Sequence, residues 1–192
     1  MIQGTYRSKR ILDVAISALG LLLLSPVILI ALLAIRWTSP GPGVFSQTRV
    51  GRNGVEFRCH KLRTMYVGTA SVPTHEVSTS RITPIGRFLR HTKLDELPQL
   101  WNVLKGEMSL VGPRPCLPEQ TVLVEARRRR DVAALRPGIT GLAQLRGIDM
   151  TDPERLAEID AGYLTVASLP TDLEILINTL ISGEARGDRA RT

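Results

Sequence analysis

Aromatic side chains, cysteine and histidine are all scarce in this sequence. Aromatic residues make up 4% of it, too few for the stacking platform that binds single-stranded nucleic acid. The two cysteines, Cys59 and Cys116, cannot form a disulfide framework, so a reducing cytosolic environment is expected. No metal-ligand spacing joins them to His60, His75 or His91. These scarcities disfavour a disulfide-rich secreted protein, a zinc site and a nucleic-acid partner.

The net charge indicates an anionic partner. The 192 residues carry 25 Lys and Arg against 18 Asp and Glu, a formal net charge of +7. This balance is typical of proteins that contact nucleic acid, a membrane surface or a phosphorylated substrate. The length and the 43% hydrophobic content suit one domain with a sizeable core. Because stacking residues are scarce, we expect membrane lipids or a phosphorylated substrate rather than nucleic acid.

Charge is absent from Val14–Ile35, an apolar run of 22 residues. As a helix it is long enough to cross a hydrocarbon core roughly 30 Å thick. Ser25 and Pro26 lie near its centre. The proline removes a backbone donor and predicts a bend there, and Ser25 can satisfy a freed backbone group. A signal peptide is disfavoured because the run is long and no clean cleavage site follows it. A buried soluble helix would need complete enclosure by a small domain.

Basic residues flank this apolar run on both sides. They are Arg7, Lys9 and Arg10 before it, and Arg36, Arg49, Arg52 and Arg58 after it. Since Lys and Arg near membrane ends favour the cytoplasmic side, both flanks are expected on one face of the membrane. A re-entrant helix satisfies this condition, and we favour it over a spanning helix. The chain then divides into a basic flank with a re-entrant helix (1–38), a cytosolic domain (39–183) and a disordered tail (184–192).

A β-hairpin is predicted after the linker Ser39–Gly43. Two β-prone runs, Val44–Val50 and Val55–His60, flank an Asn-Gly turn, which is a strong hairpin signal. Lys61 and Arg63 follow the second run, and alternation places both on one face, from which they could approach a diphosphate. The alternative is a basic strand end exposed to water.

The stretch from Lys93 to Gly106 carries the candidate chemistry. Apolar residues recur there at helical spacing, Pro98 suits the first helical position, and Gly106 suits the stop. Asp95 and Glu96 then lie at or just before a helix N-terminus, where carboxylates stay ionised and a phosphate can bind. Two adjacent acids in this position form a candidate nucleophile and metal site. The alternative is that Asp95 simply caps a surface helix.

Three further arginines are candidates for phosphate contact. Arg90 lies five residues before Asp95, on a helix predicted from Thr83 to Thr92. Arg114 stands between two prolines, so a stiff loop presents its guanidinium. Arg136 opens a segment with Pro-Gly and Thr-Gly pairs that indicate tight turns. For each of them, a surface ion pair or a plain turn is the alternative.

The C-terminal half is predicted to be mainly helical. A helix-like segment from Pro118 to about Leu135 carries four consecutive arginines, 127–130, which spread around a helix and predict a solvated or lipid-facing surface. Thr151–Glu154 predicts the start of a helix that continues to about Val166. Thr171–Glu174 has the form of a capping box before an apolar last helix, in the core or on the membrane. Residues 66–80 are predicted to form a loop. The fold class is therefore α+β.

Four motifs of this chain occur together in a known family. They are Leu94–Leu100 (LDELPQL), Gly112–Pro115 (GPRP), Lys61–Met65 and Arg136–Gln144. With the apolar run before them, they resemble the bacterial sugar transferase family, the monotopic phosphoglycosyl transferases. The likeness extends from near Arg10 to near Ile181. It implies a monotopic membrane protein whose helix is broken at Ser25-Pro26, on the cytoplasmic face of the bacterial inner membrane.

The resemblance also implies a reaction. A sugar 1-phosphate moves from a uridine diphosphate (UDP) sugar to a polyprenyl phosphate such as undecaprenyl phosphate, in the first membrane step of glycoconjugate or exopolysaccharide synthesis. Asp95 is the implied nucleophile, forming an aspartyl-phosphosugar intermediate, and Mg²⁺ is expected at Asp95 and Glu96. The expected substrate-binding residues are Lys61, Arg63, Arg90, Arg114 and Arg136. The sugar's identity and homo-oligomer formation stay open. A basic, membrane-anchored, non-enzymatic adaptor is the alternative function.

Overall fold

The computed structural model describes residues 8–69 and 79–182. The predictions for the basic flank before residue 8, for most of the 66–80 loop with His75, and for the tail 184–192 lie outside these residues. The helices and strands, in chain order, are α1 (Lys9–Thr38), β1 (Val44–Val50), β2 (Glu56–Leu62), α2 (Pro84–His91), α3 (Gln99–Lys105), β3 (Ser109–Val111), α4 (Thr121–Arg129), β4 (Gly138–Thr140), α5 (Leu142–Leu145), α6 (Pro153–Val166) and α7 (Leu169–Ser182). Short 3-10 turns join several of them. The predicted mixture of helices with a β-hairpin is confirmed.

Helix α1 continues through the Ser25-Pro26 pair, where the sequence predicts a break. Pro26 lies inside the helix, and its missing N–H deprives the Leu22 carbonyl, four residues earlier, of its helical donor. The Ser25 hydroxyl donates to that carbonyl at 2.9 Å, which replaces the lost bond. The helix is long and apolar enough to cross a membrane. Its re-entrant path stays a prediction.

The N-terminal end of α1 is held to the rest of the fold by buried polar contacts. Lys9 Nζ donates to the Asp172 carboxylate and, at 3.1 Å, to the Tyr163 hydroxyl. Asp13 Oδ1 accepts the backbone N–H of Leu110 at 3.0 Å. The predicted capping-box start at Thr171–Glu174 is wrong: α7 already begins at Leu169, and the buried Asp172 side chain pairs with Lys9.

The C-terminal end of α1 contacts the same folded body. Ile35, 1% exposed, packs with Leu62 of β2 and Leu89 of α2. Between the two ends, one side of α1 approaches α3, since Gly20 lies against Leu100. The other side exposes a band of large apolar residues: Leu19, Leu22, Leu23, Leu29, Ile30 and Leu33. Helix α1 thus has both ends packed on one domain and an uncovered apolar surface between them.

The hairpin and α3 form a rigid support for the segment between α2 and α3. Strands β1 and β2 pair in antiparallel fashion, with Val44 opposite Leu62 and Val50 opposite Glu56. Asn102 of α3, 0% exposed, ties the helix to β2. Its Oδ1 accepts the N–H of His60 at 3.1 Å and its Nδ2 donates to the Arg58 carbonyl at 2.7 Å. Because a fully buried side chain pairs with backbone groups of β2, these bonds fix α3 against the hairpin.

A second, two-stranded parallel sheet positions the Pro113–Pro115 loop. Ser109 of β3 lies opposite Gly138 of β4, and Val111 lies opposite Thr140. The backbone at the start of β4 also lies close to the residue that follows β3: a Cβ on Gly138 would lie 2.2 Å from the Gly112 nitrogen. Only glycine fits there, so the Pro-Gly pair of the sequence serves this contact.

Local helix signals were reliable in α2 and α6. The Thr83 hydroxyl caps α2 by accepting the Gly86 N–H at 2.9 Å, and Asp152 caps α6 by accepting the Arg155 N–H at 3.1 Å. Both predicted starts are confirmed. Helix α7 is partly in the core and partly uncovered, since Ile175 is buried whereas Leu180 and Ile181 are exposed.

Candidate active site

The two candidate acids lie on a 3-10 turn, Leu94–Glu96, immediately before α3. The turn is closed by hydrogen bonds from the Glu96 N–H to the Lys93 carbonyl (3.2 Å) and from the Leu97 N–H to the Leu94 carbonyl (3.3 Å). Asp95 is buried, with 7% of its surface exposed. Helix α3 begins at Gln99, with Pro98 as its cap residue, and ends at Gly106 in the left-handed conformation. The prediction that both acids precede a helix is confirmed.

Glu96 joins cations from two other parts of the chain. Its Oε1 accepts from Lys61 Nζ at 2.7 Å, at the end of β2, and from an Arg114 guanidinium nitrogen at 3.3 Å, in the loop after β3. The three side chains are only 16–23% exposed, so the charges interact more strongly than they would in bulk water. The structure therefore brings together three of the predicted site residues beside Asp95. We call Lys61, Asp95, Glu96 and Arg114 the acid-cation cluster.

A buried ion pair supports Arg114 from behind. Arg127 donates to the Arg114 carbonyl at 2.8 Å, and two of its nitrogens donate to Asp160 Oδ2 at 2.7 and 3.0 Å. Arg127 is 7% exposed and Asp160 is 3% exposed. For Arg127 the prediction of a solvated surface is wrong, because its side chain turns inward to pair with the buried Asp160 of α6. The other three arginines of the run form more exposed ion pairs with Glu125 and Glu154.

Sequence reasoning missed Arg127 and Asp160, although one signal was available. Asp160 falls among Leu156, Ile159 and Tyr163 on the buried side of α6. A carboxylate in an apolar stripe requires a buried cationic partner. The stripe could therefore have predicted a buried cation, but not which arginine supplies it.

Arg90 lies next to the cluster and is held by Thr64. Its Nε donates to Thr64 Oγ1 at 2.9 Å, and its carbonyl accepts the Lys93 N–H at 3.2 Å. Helix α2 approaches Thr64 so closely that a Cβ on Gly86 would lie 2.0 Å from the Thr64 carbonyl oxygen. Arg90 therefore stands one turn before the acids in a fixed position. Its contact with substrate stays a prediction.

The two remaining predicted cations make contacts elsewhere. Arg63 donates to the Ser39 carbonyl (2.9 Å), to the Ser39 hydroxyl (2.8 Å) and to the Pro40 carbonyl, which fastens the linker after α1. Arg136 Nε donates to the Gly106 carbonyl at 2.9 Å, at the far end of α3. Burial lowers the pKa of the Arg136 guanidinium, and the nearby Arg52 and Arg10 lower it further. Their hydrogen bonds serve the fold, and their substrate roles stay predictions.

Lys93 is a cation of this region that sequence reasoning did not select. Its backbone is left-handed, with φ of 57°, and its Nζ is buried with no hydrogen-bond partner among residues 8–69 and 79–182. Burial lowers the pKa of its ammonium group, Glu96 opposes that shift and Arg114 adds to it. The three charges are thus close enough to influence one another. No local pattern in the sequence marks the left-handed backbone.

Asp95 and Glu96 are the carboxylates of this site that suit a metal ion. In the described part of the chain, no group of three or more His, Cys, Asp or Glu side chains could hold one. Mg²⁺ does not need such a cage, because it retains waters and binds through one or two carboxylates together with substrate phosphates. The pair therefore fits Mg²⁺ shared with a phosphorylated ligand and does not fit a metal enclosed by protein ligands alone.

The sequence motifs agree with a family comparison. The model of the bacterial sugar transferase family matches residues 4–184. This chain belongs to the bacterial sugar transferase family. The matched span of this sugar transferase contains α1, the acid-cation cluster and the buried pair behind it.

Relatives of this sugar transferase include two glucose-1-phosphate transferases and an exopolysaccharide production protein. UDP-glucose:undecaprenyl-phosphate glucose-1-phosphate transferase of Caulobacter vibrioides is 43% identical over 91% of this chain and 68% of its own length. The Escherichia coli protein of the same name is 38% identical over 91% of this chain and 40% of its own length. Exopolysaccharide production protein PSS of Rhizobium leguminosarum is 38% identical over 93% of this chain and 96% of its own length. The sugar transferase thus spans less than half of the E. coli relative and nearly all of the Rhizobium relative.

Proposed function

We propose that this protein transfers a sugar 1-phosphate from a UDP-sugar to undecaprenyl phosphate or a related polyprenyl phosphate. The observation that carries the proposal is the acid-cation cluster: a buried carboxylate, Asp95, adjoins a second carboxylate that already attracts two cations. Such a site suits a reaction between an anionic nucleophile and an anionic phosphate. The names of the relatives supply the substrate class.

The proposed reaction has two displacement steps at one phosphorus atom. A carboxylate oxygen of Asp95 attacks the β-phosphorus of the UDP-sugar, and the bond from that phosphorus to the bridging oxygen breaks. Uridine monophosphate leaves with the bonding electrons, and the phosphosugar remains on Asp95 as an acyl phosphate, a mixed anhydride. A phosphate oxygen of the polyprenyl phosphate then attacks the same phosphorus. The Asp95 carboxylate is released, and the product is a polyprenyl diphosphate sugar.

The basic side chains lower the repulsion between these reactants. Lys61 and Arg114 would donate to phosphate oxygens while Glu96 holds both in place, and Arg127 keeps the Arg114 backbone from shifting. Asp95 and Glu96 would hold Mg²⁺, which supplies charge neutralisation at the diphosphate. Arg90 stands at the edge of the site, where it could contact the second phosphate-bearing substrate.

The proposed membrane position places this site at the lipid surface. A helix that crossed the bilayer would carry its two ends to opposite sides, whereas Lys9 at one end of α1 and Ile35 at the other contact one domain. The exposed apolar band between them suits burial in one leaflet. We therefore propose a monotopic anchor, as the sequence predicts, with the catalytic domain on the cytoplasmic face. Membrane-impermeant thiol reagents should label Ser8→Cys and Thr121→Cys from the cytoplasmic side alone; labelling from opposite sides would overturn this topology.

The activity is tested by release of uridine monophosphate. Full-length protein in lipid nanodiscs, with Mg²⁺ and polyprenyl phosphate, is given a panel of UDP-sugars. Asp95→Asn should lower release by at least about 10³-fold, since it removes the nucleophile. Asp131→Asn makes the same chemical change at an exposed position and should retain activity. Mass spectrometry should detect a phosphosugar on Asp95 when the acceptor is omitted. No release with any UDP-sugar would favour the non-enzymatic adaptor.

A further inference from the structure

Lys93 is locked to the turn that carries the two acids. Its N–H donates to the Arg90 carbonyl, and its carbonyl accepts the Glu96 N–H, each at 3.2 Å. Its φ of 57° lies in a region that glycine or asparagine adopts more easily than lysine. The position therefore holds a long basic side chain at an energetic cost, and strain of this kind is concentrated at functional sites.

The side chain adds a second unfavourable feature. Lysine usually extends along apolar surface so that its ammonium reaches water. Here Nζ is buried, and the described residues offer it no hydrogen-bond acceptor. An ammonium group in that state has lost its water without gaining a partner, which is unfavourable unless a ligand supplies one.

The charges around Lys93 indicate what kind of ligand this is. Lys93 begins the turn that carries both acids, so this region holds three cations (Lys61, Lys93 and Arg114) and two carboxylates. Glu96 Oε1 already accepts from Lys61 and Arg114. The excess positive charge favours an anion with several acceptor oxygens, and a phosphate group meets that requirement.

We propose that the Lys93 ammonium binds a phosphate oxygen of a substrate in the active site. The proposal rests on the proposed function, and it adds a substrate-binding residue that the motifs do not mark. Two substrates of the proposed reaction carry phosphate, the UDP-sugar and the polyprenyl phosphate. The buried ammonium therefore points to a phosphate contact. The experiment must show which of the two substrates provides that phosphate.

The test is equilibrium binding, which needs no turnover. Isothermal titration calorimetry would measure the affinity of full-length protein in nanodiscs for UDP and, separately, for a short-chain polyprenyl phosphate. Lys93→Met keeps the length of the side chain and removes the charge. We expect this change to weaken the binding of one of the two ligands at least about tenfold. Lys93→Arg should stay within about threefold of the wild type. Lys105→Met, at the other end of α3 in an exposed pair with Glu107, should bind both ligands normally.

Thermal stability without ligand separates ligand binding from a structural role. Because Lys93→Met removes a buried charge with no partner, its Tm should equal or exceed that of the wild type. A lower Tm with unchanged affinity for both ligands would mean that Lys93 supports the fold only, and the proposal would be overturned. Weaker UDP binding assigns the contact to the donor, and weaker polyprenyl phosphate binding assigns it to the acceptor.

These outcomes are distinguishable from failure of the proposed function. If the wild type binds UDP through Lys93 but releases no uridine monophosphate with any sugar, the phosphate contact stands and the transferase proposal fails. If the wild type turns over and Lys93→Met binds both ligands as the wild type does, the Lys93 proposal alone fails.

Discussion

The two ends of α3 use charged side chains in different ways. Before the N-terminal end, Glu96 accepts from Lys61 and Arg114, which come from separate parts of the chain. Charged side chains of both signs meet there beside Asp95. Since α3 has only seven residues, its dipole is modest, and these side chains dominate the local electrostatics.

At the C-terminal end, two arginines bind backbone carbonyls instead. Arg10 donates to the Val103 and Leu104 carbonyls at 2.6 and 2.9 Å, and Arg136 donates to the Gly106 carbonyl at 2.9 Å. The Val103 carbonyl also accepts the Gly106 N–H at 2.9 Å. The last carbonyls of a helix lack helical donors, and the arginines supply donors to those of Leu104 and Gly106. The role of each arginine follows from its acceptor: Arg114 donates to a carboxylate in the site, whereas Arg136 donates to a carbonyl at a helix end.

Of the changes that compare the two ends of α3, the largest effect should come from neutralising the shared acceptor at the N-terminal end. Glu96→Gln keeps the shape of the side chain but removes the charge that holds Lys61 and Arg114 in place. We expect kcat/KM for uridine monophosphate release to fall by about 10²-fold or more, or about 2.7 kcal/mol. Steady-state kinetics with the preferred UDP-sugar measures it.

Glu125→Gln is the matched control for this change. Glu125 pairs with Arg128 in an exposed position, where an ion pair contributes little, so its kcat/KM should match the wild type. If Glu96→Gln were as active as Glu125→Gln, the N-terminal end would be no more sensitive to charge than the surface, and the contrast between the two ends would disappear.

A smaller effect, of a different kind, is expected at the C-terminal end. Arg136→Met removes the donor to the Gly106 carbonyl and should lower the free energy of unfolding by about 1–2 kcal/mol. Activity per folded molecule should stay within about threefold of the wild type. Thermal unfolding followed by kinetics at a temperature where both proteins are folded measures the two quantities. A large rise in KM with unchanged Tm would instead support the substrate role that the sequence predicts for Arg136.

Local features of the fold were predictable because their causes are local. The Asn-Gly hairpin turn, the Thr83 and Asp152 caps, and the Gly106 stop each depend on the conformational preference of a few adjacent residues. The compensation at Pro26 is of the same kind, since the Ser25 hydroxyl and the Leu22 carbonyl lie within one turn.

The long-range partners were not predictable, because sequence spacing does not show which elements pack together. In the sequence, Arg127 is one of four consecutive arginines expected at the surface. In the fold, it pairs with the buried Asp160 of α6. The capping-box pattern at Thr171–Glu174 gave no sign that Asp172 pairs with Lys9 from the other end of the chain. For the same reason, the sequence does not distinguish the roles of Arg114 and Arg136, since both stand beside prolines in turn-rich motifs. The chemistry of the acids was visible in the sequence, whereas the positions of the cations required the fold.

The smallest predicted effect concerns Glu107, just beyond the C-terminal end of α3. Burial raises the pKa of its carboxyl, but hydrogen bonds from Lys105 and Asn102 outweigh burial and hold that pKa below its ordinary value. A carboxyl with a lowered pKa in the folded state contributes stability above its unfolded pKa of about 4.3, and that stability is lost as the pH falls through the folded pKa. Replacing Glu107 with Gln should therefore cost up to about 1 kcal/mol at pH 7 and progressively less below pH 4. Denaturation at a series of pH values measures the difference. A constant difference across the series would mean that the Glu107 charge adds nothing, and the cations at this end of α3 would then act through backbone carbonyls alone.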